Sequence, residues 1–191
     1  GRDMLTRTVK GLRFSMIIGL LGSAIGVIVA VFLGMIAAVG GKKADAVILW
    51  LIDMFIGMPH LVFLILISFA AGRGAKGIII GVALTHWPTL ARLVRNEVKA
   101  IQNFEYIKIS ENFGKSRSFI VKNHLLPAIL PQIMVGFLLL FPHAILHEAS
   151  MTFLGFGLSA EKPSVGIILS EAVKHISLGH WWLAVFPGAL L

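Results

Sequence analysis

An unbroken run of 28 uncharged residues, Phe14 to Gly41, constrains this chain more than any other feature. As a helix rising about 1.5 Å per residue, such a run exceeds the ~30 Å hydrocarbon thickness of a bilayer. Further apolar stretches follow. One covers about Ala44 to Ala71, interrupted by Asp53 and by Pro59–His60, and another starts near Gly77 and reaches about Leu90. A fourth occupies 125–146 and holds Pro127, Pro131 and Pro142, and a fifth opens at Trp181–Trp182. The pattern predicts an all-α, polytopic membrane bundle of about five spans.

Composition supports the membrane assignment. The chain of 191 residues is 57% hydrophobic and 14% charged, with a mean hydropathy of +0.90. Soluble domains carry about 25% charged residues, and a soluble core of this size could not bury the excess apolar surface. The net charge of +8 raises the possibility of a nucleic-acid partner. Here, however, the basic residues flank apolar spans instead of forming a stripe on a polar domain, so they fit lipid headgroups and positive-inside topology. With no cysteine, thiolate metal sites, thiol catalysis and disulfides are excluded. The chain opens on Gly1 without a visible signal peptide and ends at Leu191 inside an apolar run, which reads as part of a longer subunit.

Small residues recur through the first run. Gly22 and Gly26 have the small-xxx-small spacing that lets helices approach closely, although Gly is frequent in membrane helices generally. The turns at Gly40–Lys43 and Gly72–Lys76 are short and basic. The third helix is expected to continue through Ala91–Ile101 into the longest polar stretch, 92–124, which holds seven basic residues. If that stretch is cytoplasmic, alternation puts Lys42–Lys43 on the same side and puts 1–13, 72–76 and 148–180 outside. Nine Lys or Arg inside against eight outside is a weak bias, and the basic start at 1–13 argues against it. A short helix is expected near 164–175.

Residues 104–131 carry the most specific pattern. Phe104, Ile107 and Glu111 recur at helical spacing, and Gly114 suits a helix C-terminus because a positive φ costs Gly least. A second short helix would set Phe119 and Ile120 on one side and Arg117 and Lys122 on another. Leu126–Pro127 would then open the next span. The product is a compact, basic, partly apolar knob. It suits docking into a groove of a partner protein, or lying on anionic lipid as an amphipathic loop.

This stretch resembles the cytoplasmic coupling loop of the permeases of ATP-driven (ABC-type) importers. That loop has Glu-Ala-Ala, three residues, Gly, nine residues, an apolar residue, one more residue and Leu-Pro. Gly114 and Leu126–Pro127 stand at that spacing, whereas Lys108–Ile109–Ser110 replaces Glu-Ala-Ala and His124 takes the apolar position. The rest of the chain resembles the second permease of dipeptide, oligopeptide and nickel importers. The matching pieces are Gly1–Arg7, Gly11–Ser15, Asp53 with Pro59, Trp87 with Ala91–Arg95, Glu148–Gly157, Pro163–Ser164, Gly166 and Glu171–Ala172.

The resemblance implies a single permease domain over 1–191, with a coupling loop at 104–127 and an extracytoplasmic segment at 148–180, in the inner (cytoplasmic) membrane. It implies a sister permease, two cytoplasmic ATPase subunits and an extracytoplasmic substrate-binding protein as partners, alongside the lipid bilayer and without nucleic acid. Glu105, Lys108, Ser110, Glu111, Gly114, Lys115, Phe119, Leu126 and Pro127 would form the ATPase-coupling loop. No cofactor is expected on this chain; ATP and Mg belong to the partner ATPases. Gly114–Lys115–Ser116 looks like the tail of a phosphate-binding loop, but Ile109 occupies the position of its first Gly.

Ionisable groups inside spans are functional candidates because they are costly there. Asp53 is one; it also fits a structural role as partner of Lys42 or Lys43. His60, His86, His143 and His147 could line a substrate path. His143 and His147 are four apart and share a helix face, a spacing that can chelate a metal transiently. The other reading is that each His is a polar contact between helices. Neutral imidazole suits borderline metals such as nickel, and His143, His147 and His86–Trp87 look more like the nickel branch than the peptide branch. The leading expectation is a permease for nickel, free or chelated, or for di- or oligopeptides, with nickel slightly ahead. A proton-coupled carrier using Asp53 and the histidines is one alternative. An intramembrane enzyme using a pair such as His147–Glu148 is another, though no convincing nucleophile accompanies it.

Overall fold

A computed structural model describes residues 4–158 and 164–189. Gly1–Asp3 and Pro163, both part of the resemblance above, lie outside the described residues. The described residues are helical almost throughout: α1 (Met4–Val39), α2 (Gly41–Gly57), α3 (His60–Ala70), α4 (Gly74–Ile101), α5 (Glu105–Asn112), α6 (Arg117–Ile120), a π turn (Val121–Leu125), α7 (Leu126–Phe153), α8 (Val165–Ile176) and α9 (Trp182–Ala189). Among them α1, α4 and the continuous segment Arg117–Phe153 are long and apolar enough to cross a membrane, and α2 with α3 makes a fourth candidate if counted as one broken span. The apolar segment opening at Trp181 forms α9, of which 8 residues are described.

Several boundaries differ from the sequence reading for identifiable reasons. The first helix begins at Met4 instead of Phe14. Its early basic turn is tolerated because Arg7 pairs with Glu171 of α8 at 2.5 Å. Within the basic start, Arg7 is thus matched by an acid of its own unit. The second apolar stretch is not one helix. Met58 is extended (φ −87°, ψ 142°), as a residue before proline prefers, so α2 stops at Gly57 and α3 restarts after Pro59. The third helix starts at Gly74, three residues early, and continues to Ile101 as expected. Leu126–Pro127 does not open a free helix end; the π turn runs directly into α7. A proline cannot donate back to the preceding turn, and a local π turn accommodates such a lost bond.

Three helices end in the same way. At Gly72, Gly114 and Gly155 φ is +101°, +74° and +84°. Each is followed by a residue whose N–H reaches back to the third-last helical carbonyl: Arg73 to Ser68, Lys115 to Ser110 and Phe156 to Met151. This paired closure needs the left-handed conformation that Gly adopts at least cost.

The chain divides into two compact units that interleave along the sequence, so that α1, α4 and α7 each contribute to both. The first contains the residues up to Ile25, Pro59–Thr85 and those from Leu139 onward. Its core is apolar and includes Ile18, Leu64, Ile78, Val82, Met151 and Ile167. Helices meet closely there: a Cβ at Gly19 would stand 2.7 Å from Ile145 Cγ1, and one at Gly22 would stand 2.9 Å from Val82 Cγ1. Gly22 is therefore a close-packing position. The second unit contains Gly26–Met58 and His86–Leu138. There a Cβ at Gly34 would stand 2.7 Å from the Ala91 carbonyl oxygen, so α1 meets the backbone of α4. Val94 and Val98 are fully buried, and Trp87 packs edge-on to Phe55 with centroids 5.3 Å apart.

Candidate functional site

The predicted knob lies within the second unit. α5 carries Glu105, Lys108, Ser110 and Glu111, stops at Gly114, and hands over to α6 through Lys115. Ser116 caps α6 by accepting the Phe119 N–H at 3.2 Å. Ile107, Ile120 and Leu125 point inward and are almost fully buried. With Glu111 and Arg117 they line a cavity of about 270 Å³. The opposite surface is apolar yet uncovered: Phe113 is 80% exposed, and Phe104, Ile109 and Tyr106 are also exposed. The Lys115 ammonium lies 5.1 Å from the centre of the Phe119 ring.

The two departures from the coupling-loop pattern meet each other. Ser110 stands where the pattern has its second Ala, and His124 stands at the apolar position. Their side chains hydrogen-bond, Oγ to Nε2, at 3.3 Å. The His124 ring also sits edge-on to Tyr106 and Phe119, with centroids 5.9 and 5.8 Å away. His124 itself lies in the π turn that leads into α7.

Asp53 is paired, though not with Lys42 or Lys43. It forms an ion pair with Arg92 of α4. Lys42 and Lys43 lie on its own helix, ten or more residues away, about 15 Å along the axis and beyond side-chain reach. Asp45 is the better-shielded acid of this unit. It accepts from Arg95 Nε at 2.6 Å and Nη2 at 2.7 Å, and also from Lys99. Composition hid this cluster, but Arg95 and Lys99 at i, i+4 on one helix face were its available signal.

The first unit holds a different set of polar groups. Glu148 is fully buried on α7. Thr152 Oγ1 donates to its Oε1 at 2.9 Å, and the hydroxyls of Ser15 and Ser164 face the same carboxylate. Ser164 also caps α8, accepting the Ile167 N–H at 3.3 Å. His147, next in sequence, points elsewhere: its ring lies 4.7 Å from that of His60, at the start of α3. His147 and Glu148 thus do not converge as an acid–base pair. His143 is exposed and turns Nδ1 toward the Leu139 carbonyl of its own helix, 3.1 Å away. The ring contact of His147 is with His60, because α3 presents its first residue to α7. His86 is buried on α4 and belongs to the second unit.

The family described as binding-protein-dependent transport system inner membrane component matches residues 30–191. The chain belongs to that family. Among curated relatives, the dipeptide transport system permease protein DppC of Bacillus subtilis (strain 168) is 35% identical over 98% of the chain. The oligopeptide transport system permease protein OppC of the same organism is 30% identical over all of it, as is a probable D,D-dipeptide transport system permease protein, DdpC, of Escherichia coli (strain K12). The chain spans 58%, 62% and 64% of the length of these three relatives. A structure of the MetNI methionine ABC transporter in an inward-facing conformation superposes with a TM-score of 0.72. That similarity covers 99% of this chain and 96% of the other at 17% identity, and it establishes the fold. Membership in a family of transport-system membrane components sets aside the intramembrane-enzyme alternative.

Proposed function

We propose that this chain is the permease subunit of an ATP-driven peptide importer, and that its α5–α6 knob docks on a cytoplasmic ATPase. The carrying observation is the exposed apolar face of Phe104, Tyr106, Ile109 and Phe113 on a helix otherwise anchored by buried Ile107. A soluble-facing surface of this kind calls for a protein groove. Glu105, Lys108, Glu111 and Lys115 supply a charged rim, and Gly114, Phe119, Leu126 and Pro127 set the angle at which the knob leaves α7. Movement of the knob with ATP-driven closure would favour one packing of the spans over another. A sister permease, two ATPase subunits, an extracytoplasmic binding protein and a cytoplasmic-membrane location complete this reading. In it 1–191 acts as one permease domain, with 148–180 on the extracytoplasmic side.

Peptide cargo now leads nickel because the named relatives are dipeptide and oligopeptide permeases. Asp53, His60, His86, His143 and His147 remain the path candidates. The test is uptake of labelled dipeptide by the reconstituted complex, with wild-type and Phe113→Asp subunits. ATP-dependent uptake is expected, falling at least tenfold in the variant together with ATPase association, at unchanged melting temperature. Uptake driven by a pH gradient without ATP would replace this reading with the proton-coupled carrier.

A further inference from the structure

We propose that His60 and His147 form a binding site for a borderline divalent cation such as Ni²⁺ or Zn²⁺, with coordination positions left open for a chelating ligand. The site lies wholly within the first unit and does not depend on the transport reading. The two residues come from different helices, 87 positions apart in sequence, and their rings are tilted by 48° at 4.7 Å. One ring nitrogen of each lies within 4.8 Å of the other. A tetrahedral metal with bonds of about 2.1 Å holds two nitrogens ~3.4 Å apart, so a modest rotation of either side chain would bring both onto one ion. Neutral imidazole is the ligand that suits these metals.

The surroundings shape what such a site can do. Two protein ligands leave at least two positions of a four-coordinate ion unfilled, and the neighbouring carboxylate, Glu148, is engaged by Thr152. In this two-imidazole site the remaining positions are open to water or to a ligand carried in with the metal. His60 is the first residue of α3, where the positive end of the helix dipole opposes a cation. The combination favours weak, reversible capture of a cation that already has partial coordination. A closed structural zinc site has four protein ligands and no such opening.

Titration of the full-length subunit in detergent tests the site, with free Ni²⁺, free Zn²⁺ and Ni²⁺ held by nitrilotriacetate as probes. The last offers two free positions and reports whether two imidazoles can fill them. One equivalent of bound metal is expected. Its affinity should fall at least tenfold in His60→Ala and in His147→Asn, and less than threefold in His143→Ala. Melting curves of each metal-free variant identify any that fail to fold, and Co²⁺ absorption in the visible range reads imidazole ligation directly. Binding by free ions with rejection of the nitrilotriacetate complex would overturn the open-position part. Affinity that depends on His143 and His147 but is indifferent to His60 would overturn the site in favour of the one-helix pair. No binding by the folded wild type, or equal binding by the folded His60 and His147 variants, would end it.

Discussion

The two units partner their acids by opposite means. In the second, Asp45 is met by two cations, Arg95 and Lys99, and Asp53 by a third, Arg92. In the first, Glu148 is more deeply buried than either and is met by hydroxyls: Thr152, with Ser15 and Ser164 facing it. The difference follows from position along the spans. Asp45 lies in the first turns of α2, and Arg95 and Lys99 in the last turns of α4, where long basic side chains keep a route to water. Glu148 lies among apolar residues of α7, where a second full charge would have to be desolvated as well. Short hydroxyls placed around a carboxylate there add no second charge to desolvate, and two of them also serve backbone groups: Ser164 caps α8, and Thr152 accepts the Leu158 N–H.

The same contrast appears in how closely helices approach, and it sets the largest expected effect. At Gly34 the neighbour is the backbone oxygen of Ala91, which cannot move without displacing α4. At Gly22 it is the Val82 side chain, which has some freedom. Gly34→Leu should destabilise by about 3 kcal/mol or more, and Gly22→Ala by about 1–2 kcal/mol. Thermal melting of the purified subunit, followed by size-exclusion chromatography, would rank them. A Gly34→Leu protein as stable as wild type would show that the second unit adapts its backbone and would remove this half of the contrast.

Charge removal sharpens the comparison at the next level. Asp45→Asn keeps the shape of the acid and leaves Arg95 and Lys99 facing a neutral amide. A loss on the order of 1–3 kcal/mol is expected, reduced by partial solvent access to Lys99. Glu148→Gln keeps an acceptor for Thr152 and is expected to cost about 1 kcal/mol. Raising the salt concentration should narrow the gap between wild type and Asp45→Asn while leaving Glu148→Gln unmoved, because screening acts on exposed charges. Equal salt responses in denaturant titrations would mean that both acids are held in the same way.

The spans, the Gly114 stop and the knob were legible because each rests on local rules. Unbroken hydropathy marks spans, a left-handed Gly ends a helix, and Pro59 breaks one. The partners were not legible because they depend on which helix faces which. Asp53 could be recognised as costly, but Arg92 is 39 positions away and nothing in periodicity selects it over Lys42. Likewise the i, i+4 spacing of His143 and His147 suggested a pair, while the observed ring contact of His147 is with His60. Glu148 was read only as part of a motif and of a candidate acid–base pair; its burial came with the fold. The early start of α1 became intelligible only with its partner, Glu171.

The smallest expected effect is the most diagnostic, because it asks whether two departures from one pattern are a single event. Ser110 and His124 each differ from the coupling-loop pattern, and in the structure they bond to each other between the rings of Tyr106 and Phe119. If the pair formed as a unit, removing one member leaves the other without its hydrogen bond in a partly buried place. His124→Leu and Ser110→Ala should then each cost about 1 kcal/mol. The double variant, which restores the apolar pairing of the pattern, should cost less than the sum by about 0.5–1.5 kcal/mol. Under the proposed docking of the knob, ATPase association should follow the same non-additive order. Additive losses in both measurements would mean that the two substitutions are independent and that the hydrogen bond contributes nothing to holding α5 against the start of α7.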